Sequence, residues 1–211
     1  MWKFKKGIIL SLFLSIIILL YTIFINNSIY VSMQVSDYIF NDYTFMFVFS
    51  TIVFYLFFDT YNFDLTACRF KNIEKYIFFE INYTIVSLCS FFLVLTINQI
   101  IIFTIFDPLF KISTLIYQNI IFFWIYLIFY LVTFLCKRKN HRKSLIFMFI
   151  IWNILYIVYI LFPENIINQI TIFKSLKELS VYEILRLIIF NLIIIYGIYI
   201  KIKTRGRKIL E

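Results

Sequence analysis

The sequence predicts an all-α integral membrane protein with six transmembrane helices, and three observations predict it. Of the 211 residues, 63% are hydrophobic and 15% charged, where a soluble domain carries about 45–50% apolar and about 25% charged residues. The apolar side chains stand in solid, uncharged runs, several close to the ~20 residues a helix needs to cross a bilayer. A membrane β-barrel would show short alternating segments instead. Lys and Arg gather between alternate runs, as they do on the cytoplasmic side of a multi-pass chain.

The first run, Gly7–Ile25, follows the basic start "MWKFKK". A basic start with an apolar core also describes a signal peptide, but no small-x-small cleavage site follows in "YTIFINNSIY", so this run is expected to remain as span one. The second, Tyr43–Phe58, is short and is completed by its interfacial flanks. The third, Ile77–Phe106, is longer than a span requires, and its excess is assigned to a tilted or kinked end near Asp107-Pro108. Ile112–Cys136 and Ser144–Phe162 are the fourth and fifth. The sixth, Val181–Ile200, holds Glu183 and Arg186 near its start, with the arginine snorkelling to the surface. No internal repeat, linker or polar domain interrupts the chain, and residues 1–211 are read as one membrane domain.

Orientation follows from the basic residues. With the N-terminus inside, the inner segments hold Lys3, Lys5 and Lys6, then Arg69, Lys71 and Lys75. The next two inner segments hold Lys137 to Lys143 and Lys201 to Lys208. Lys111, Lys174, Lys177 and Arg186 are left outside. Both termini are therefore expected in the cytoplasm of a cell-membrane protein. The net charge of +9 belongs to membrane boundaries that face anionic lipid, and not to a nucleic-acid site.

Gly occurs three times and Ala67 is the single alanine. Helix pairs are thus expected seldom to use close small-xxx-small crossings, so that bulky Ile and Phe mesh instead.

Few residues carry chemistry. His141 is the one histidine, in "CKRKNHRK" after Cys136, and the cations around this pair would favour a thiolate. A membrane cysteine peptidase is one reading of the pair; no orienting carboxylate or Gly-rich turn accompanies it, and a basic loop that contains a His is the plainer one. Cys68, Cys89 and Cys136 form no CxxC and read as free thiols. One His and scattered carboxylates cannot build a closed zinc site. No GxSxG, HExxH or phosphate-cradling glycine loop appears, so no metal or cofactor is expected and any ATP would be bound by a partner subunit. Residues 81–106 and 112–136 hold no Asp, Glu, Lys, Arg or His, and Glu80 sits near the inner edge of the third span, at headgroup reach, which speaks against an ion-driven carrier. Asn98 and Gln99 are the polar pair of the third span; they either bond a neighbouring helix or line a substrate path.

Two amphipathic pieces flank the spans. Phe63, Thr66, Phe70, Ile73 and Ile77 recur at helical spacing, with Asp64, Arg69, Asn72, Lys75 and Tyr76 on other faces. This predicts either a short interfacial helix offering its polar face to the cytosol or an ordinary basic loop. Residues 163–183 carry an apolar stripe of Ile170, Phe173, Leu176 and Leu179, which predicts an amphipathic outer helix between spans five and six.

In architecture the chain resembles the small permease subunits of type-2 ABC exporters. The stretch "CRFKNIEKYIFFEINYTIVSLCSFFLVLTI" is similar to the Arg-x-Lys-x-x-x-Lys-Tyr pattern such permeases carry entering span three, and the ending "YIKIKTRGRKILE" is similar too. The resemblance implies a coupling helix at 67–76, with Arg69, Lys71, Glu74 and Lys75 contacting a cytosolic ABC ATPase dimer. It implies a permease homodimer or a second permease subunit. It also implies outward movement of an amphipathic peptide, bacteriocin or lipid-like compound, with ATP hydrolysed by the partner and the chain itself not an enzyme. A stand-alone bacteriocin immunity protein is the main alternative. A vitamin-importer binding subunit would need Ala-rich docking faces that this chain lacks.

Overall fold

The computed structural model describes residues 2–27, 73–106, 111–135 and 180–205, together with scattered positions between 150 and 162. The regular structure among the described residues is helical, with four long helices: α1 (Trp2–Asn27), α2 (Ile73–Phe106), α3 (Ile112–Leu135) and α4 (Val181–Arg205). Three are long and apolar enough to span a membrane, over Lys75–Phe106, Ile112–Val132 and Val181–Thr204. The apolar stretch of α1, Gly7–Leu20, is shorter. The runs at 43–58 and most of 144–162, the segments 67–72 and 163–179, and Cys68, Cys136 and His141 lie outside the described residues.

α2 and α3 form an antiparallel hairpin. The described part of α2 ends at Phe106. The carbonyl of Lys111 then accepts from the amides of Thr114 and Leu115 to open α3. The register of the two helices is symmetric about their facing ends. Gln99 and Asn119, which are hydrogen-bonded, each stand seven residues from the inner end of their helix. Phe92 and Tyr126, whose rings stack, each stand fourteen residues from it. Buried Leu115, Asn119, Phe122, Tyr126 and Phe129 of α3 follow the alternating four-and-three spacing of a coiled-coil seam.

α1 runs parallel to α2. Gly7 lies against Ser87, Ser90 and Phe91, and Ser15, two turns on, meets Asn98. The buried face of α1 is Gly7, Ser11, Leu14, Ser15, Ile18 and Thr22. This includes a small-xxx-small-xxx-small stripe, contrary to the expectation drawn from scarce Gly and Ala. Serine supplies the small side chains. Its polarity is met internally, since Ser11, Ser15 and Thr22 hydroxyls donate to the carbonyls of Ile8, Ser11 and Ile18 at 2.7 Å, as hydroxyls in membrane helices do. The opposite face, with Ile9, Phe13, Ile16 and Leu20, is exposed and suits lipid.

α3 is the most enclosed helix. Its span is 61% buried, against 39% for α2 and 22% for α4. It packs on α2 with one face and on α4 with another, and a helix apolar all round belongs in such a position. α4 buries one stripe, Glu183, Leu187, Asn191, Ile198 and Ile202, and exposes Leu185, Ile189, Leu192 and Ile193. Ser180 caps its first turn: the Ser180 hydroxyl accepts from the Glu183 amide at 3.3 Å.

Asp107-Pro108, where a kinked end was expected, lies outside the described residues, and α2 shows length beyond a single span at its other end. At about 1.5 Å per residue, the α3 span is about 31 Å long, close to the ~30 Å hydrocarbon core. By hairpin symmetry its far end, Val132, is level with Val86 of α2. α2 continues, unbroken in its hydrogen-bonded helix, back to Ile73.

Candidate functional site

Polar side chains in the bundle interior converge where helices meet. Asn119 of α3 uses its amide nitrogen twice, donating to Gln99 Oε1 at 2.8 Å and to Thr96 Oγ1 at 3.0 Å. The Thr96 hydroxyl donates to the Phe92 carbonyl at 2.6 Å. Gln99 is 0% and Asn119 3% exposed. One residue away and on the other side of α2, half-buried Asn98 donates to Ser15 Oγ of α1 at 3.1 Å. Asn191 of α4 donates to the Trp124 carbonyl of α3 at 3.2 Å and to its own Leu187 carbonyl at 2.8 Å. Each packed pair of helices therefore shares an amide hydrogen bond, worth more in specifying register than in energy.

Aromatic rings continue the α2–α3 contact inward. Phe92 meets Phe123 edge-on at 6.2 Å and stacks with Tyr126 at 6.0 Å. Near the start of α4, Arg186 and Glu183 form an ion pair of 2.6 Å, with the carboxylate side chain 9% exposed. Among the described residues no group of His, Cys, Asp or Glu is placed to hold a metal.

The residues expected at the ATPase contact fall at or before the start of α2. Arg69 and Lys71 lie outside the described residues; Glu74 and Lys75 are part of α2, and Lys75 is exposed. Ile77 is buried, as its periodicity predicted. Tyr76 is not on the polar face: it is 3% exposed, and its hydroxyl donates to Glu80 Oε1 at 3.3 Å. An amphipathic tyrosine can bury its ring and keep a polar partner, so its place in the stripe was not fixed by polarity. The chain from Ile73 is also not a separate short helix, because it runs straight into the span.

Asn98 and Gln99 both bond neighbouring helices, with different partners on opposite sides of α2. Sequence reasoning missed Ser15, Thr96, Asn119 and Asn191. A lone Asn in an apolar run, as in "YQNII" or "IIFNLII", signals a buried polar bond but not its partner. Comparison with protein-family profiles, with curated proteins and with solved structures finds no match for the chain.

Proposed function

We propose that the chain is the membrane subunit of an ATP-driven exporter, with six spans and both termini in the cytoplasm. It works with a cytosolic ABC ATPase dimer, as a homodimer or beside a second permease subunit, and moves an amphipathic peptide, bacteriocin or lipid-like compound outward. The observation that carries this reading is α2 itself. From Lys75, exposed beside the basic segment of residues 69–71, the helix runs unbroken to Phe106. Its first eleven residues past the level of Val86 amount to about 16 Å of rod beyond the membrane depth of α3. A displacement applied at Lys75 is delivered to Asn98 and Gln99, where α2 is bonded to α1 and α3.

The parallel course of α1 and α2 supports the topology. Two parallel neighbours require the chain between them to return to its starting side, which a second span at 43–58 supplies. The basic segments at 3–6 and 69–75 then share one side.

The test reverses Arg69 and Lys75 to Glu, with Arg69→Gln and Lys75→Gln as the milder pair. ATPase association is read by co-purification, and coupling by substrate-stimulated hydrolysis. Like-charge contact at a docking face costs several kcal/mol, so the reversal is expected to release the ATPase while the spans stay folded. Normal association and stimulation in both variants would falsify the coupling role. If no ATPase accompanies even the unaltered chain under mild extraction, the immunity-protein reading takes its place.

A further inference from the structure

The cluster of Thr96, Gln99 and Asn119 does not close on itself. Asn119 Nδ2 and the Thr96 hydroxyl have spent their protons. Gln99 Nε2 and Asn119 Oδ1 are buried and have no hydrogen-bond partner among the described residues. This remainder does not depend on which way the two amides are turned, an assignment made from the network itself. Each side chain offers one carbonyl oxygen and one NH2. Turning both makes Gln99 Nε2 the donor to Asn119 Oδ1 and leaves Gln99 Oε1 and Asn119 Nδ2 over. In either arrangement one amide NH2 and one carbonyl oxygen are unmatched, and leaving both so in an apolar interior is costly.

We infer that this cluster is a binding site for one small neutral molecule that both donates and accepts a hydrogen bond, namely a water molecule held between α2 and α3. Neutrality follows from the two helices that form the cluster: α3 and the Ile81–Phe106 part of α2 contain no Asp, Glu, Lys, Arg or His, and the charges of Glu183 and Arg186 on α4 are paired with each other, so an ion would stand uncompensated. Smallness follows from burial. Leu95 and Ile102 lie one turn either side of Gln99, and Leu115 and Phe122 flank Asn119, all at most 7% exposed. One donor and one acceptor meet the lower end of the two to four partners a buried water takes. Seven residues, about 10 Å, separate the cluster from the hairpin end, a short path from the membrane surface.

The protein, with isotopically labelled Asn and Gln amides, is placed in phosphatidylcholine vesicles and observed by magic-angle-spinning NMR with magnetisation transfer from water. The Gln99 amide signal, assigned by its loss in Gln99→Leu or its shift in Gln99→Asn if the first variant fails to fold, is expected to receive water magnetisation. Asn119→Leu is expected to abolish that transfer. The exposed amide of Asn82 serves as the positive control. A Gln99 signal still dark at mixing times that light Asn82 overturns the site, as does undiminished transfer in folded Asn119→Leu.

Discussion

Gly7 of α1 lies so close to Ser87 of α2 that a methyl group on its Cα would stand 3.1 Å from the Ser87 carbonyl oxygen. The obstacle is backbone, which yields little. At Gly197 of α4 the same methyl would meet nothing within 4 Å. Gly197→Ala is therefore expected to stabilise the protein by up to ~1 kcal/mol through helix propensity, whereas Gly7→Ala is expected to gain nothing. Gly7→Leu is expected to cost about 1–3 kcal/mol by overpacking. Equilibrium unfolding in mixed micelles measures all three; a stabilised Gly7→Ala would place α1 elsewhere.

Replacing Asn119 or Gln99 singly with Leu is expected to destabilise the bundle, because each leaves the other amide short of a partner. The double replacement is expected to cost less than the two singles together. Measured couplings between membrane helices average about 0.6 kcal/mol and reach about 1.7, and a cycle of the four proteins should fall in that range. Strict additivity would mean that the 2.8 Å contact contributes nothing.

Arg186→Leu removes the guanidinium facing Glu183, a residue 7% exposed. Breaking one side of a buried ion pair is the costly operation, up to ~3 kcal/mol, while replacing both partners with apolar residues is often neutral. Arg186→Leu should therefore be less stable than the double variant with Glu183→Leu. Thermal unfolding of the two in the same detergent decides it.

Topology is tested by single cysteines in a background lacking Cys68, Cys89 and Cys136. A cysteine at Asn140 is expected to react with an impermeant thiol reagent only from the cytoplasmic side, and one at Asn168 only from outside. The reverse pattern would invert the membrane orientation drawn from Lys and Arg.

Cys136→Ser and His141→Ala are expected to leave ATPase stimulation intact and to change no peptide product. A peptidase losing its nucleophile or base would slow by orders of magnitude, so a product missing from either well-expressed variant would make this chain an enzyme.

The membrane-length helices were legible because lipid and core demand the same thing of a run such as Ile112–Val132, namely continuous apolar side chains. Their ends were less so. Ile73 is already part of α2 four residues before the apolar run begins, since backbone hydrogen bonding does not stop where hydrophobicity does. The seam between α1 and α2 was hidden by counting Gly and Ala. In "GIILSLFLS" serine performs the same steric task while closing its hydroxyl on the preceding turn. Asn98 and Gln99 announced a polar contact, yet adjacent positions on a helix point about 100° apart, and only three-dimensional placement sends one to Ser15 and the other to Asn119.

In each of the four interhelical amide bonds among the described residues the asparagine lies later in the chain than its partner: Asn98 after Ser15, Asn119 after Gln99 and Thr96, Asn191 after Trp124. A nascent chain leaving the translocation channel thus brings each of these asparagines into lipid after its mate has arrived. These four contacts can therefore be made in the order of synthesis, with that of Asn191 the last, so that no asparagine among them has to wait for a later helix.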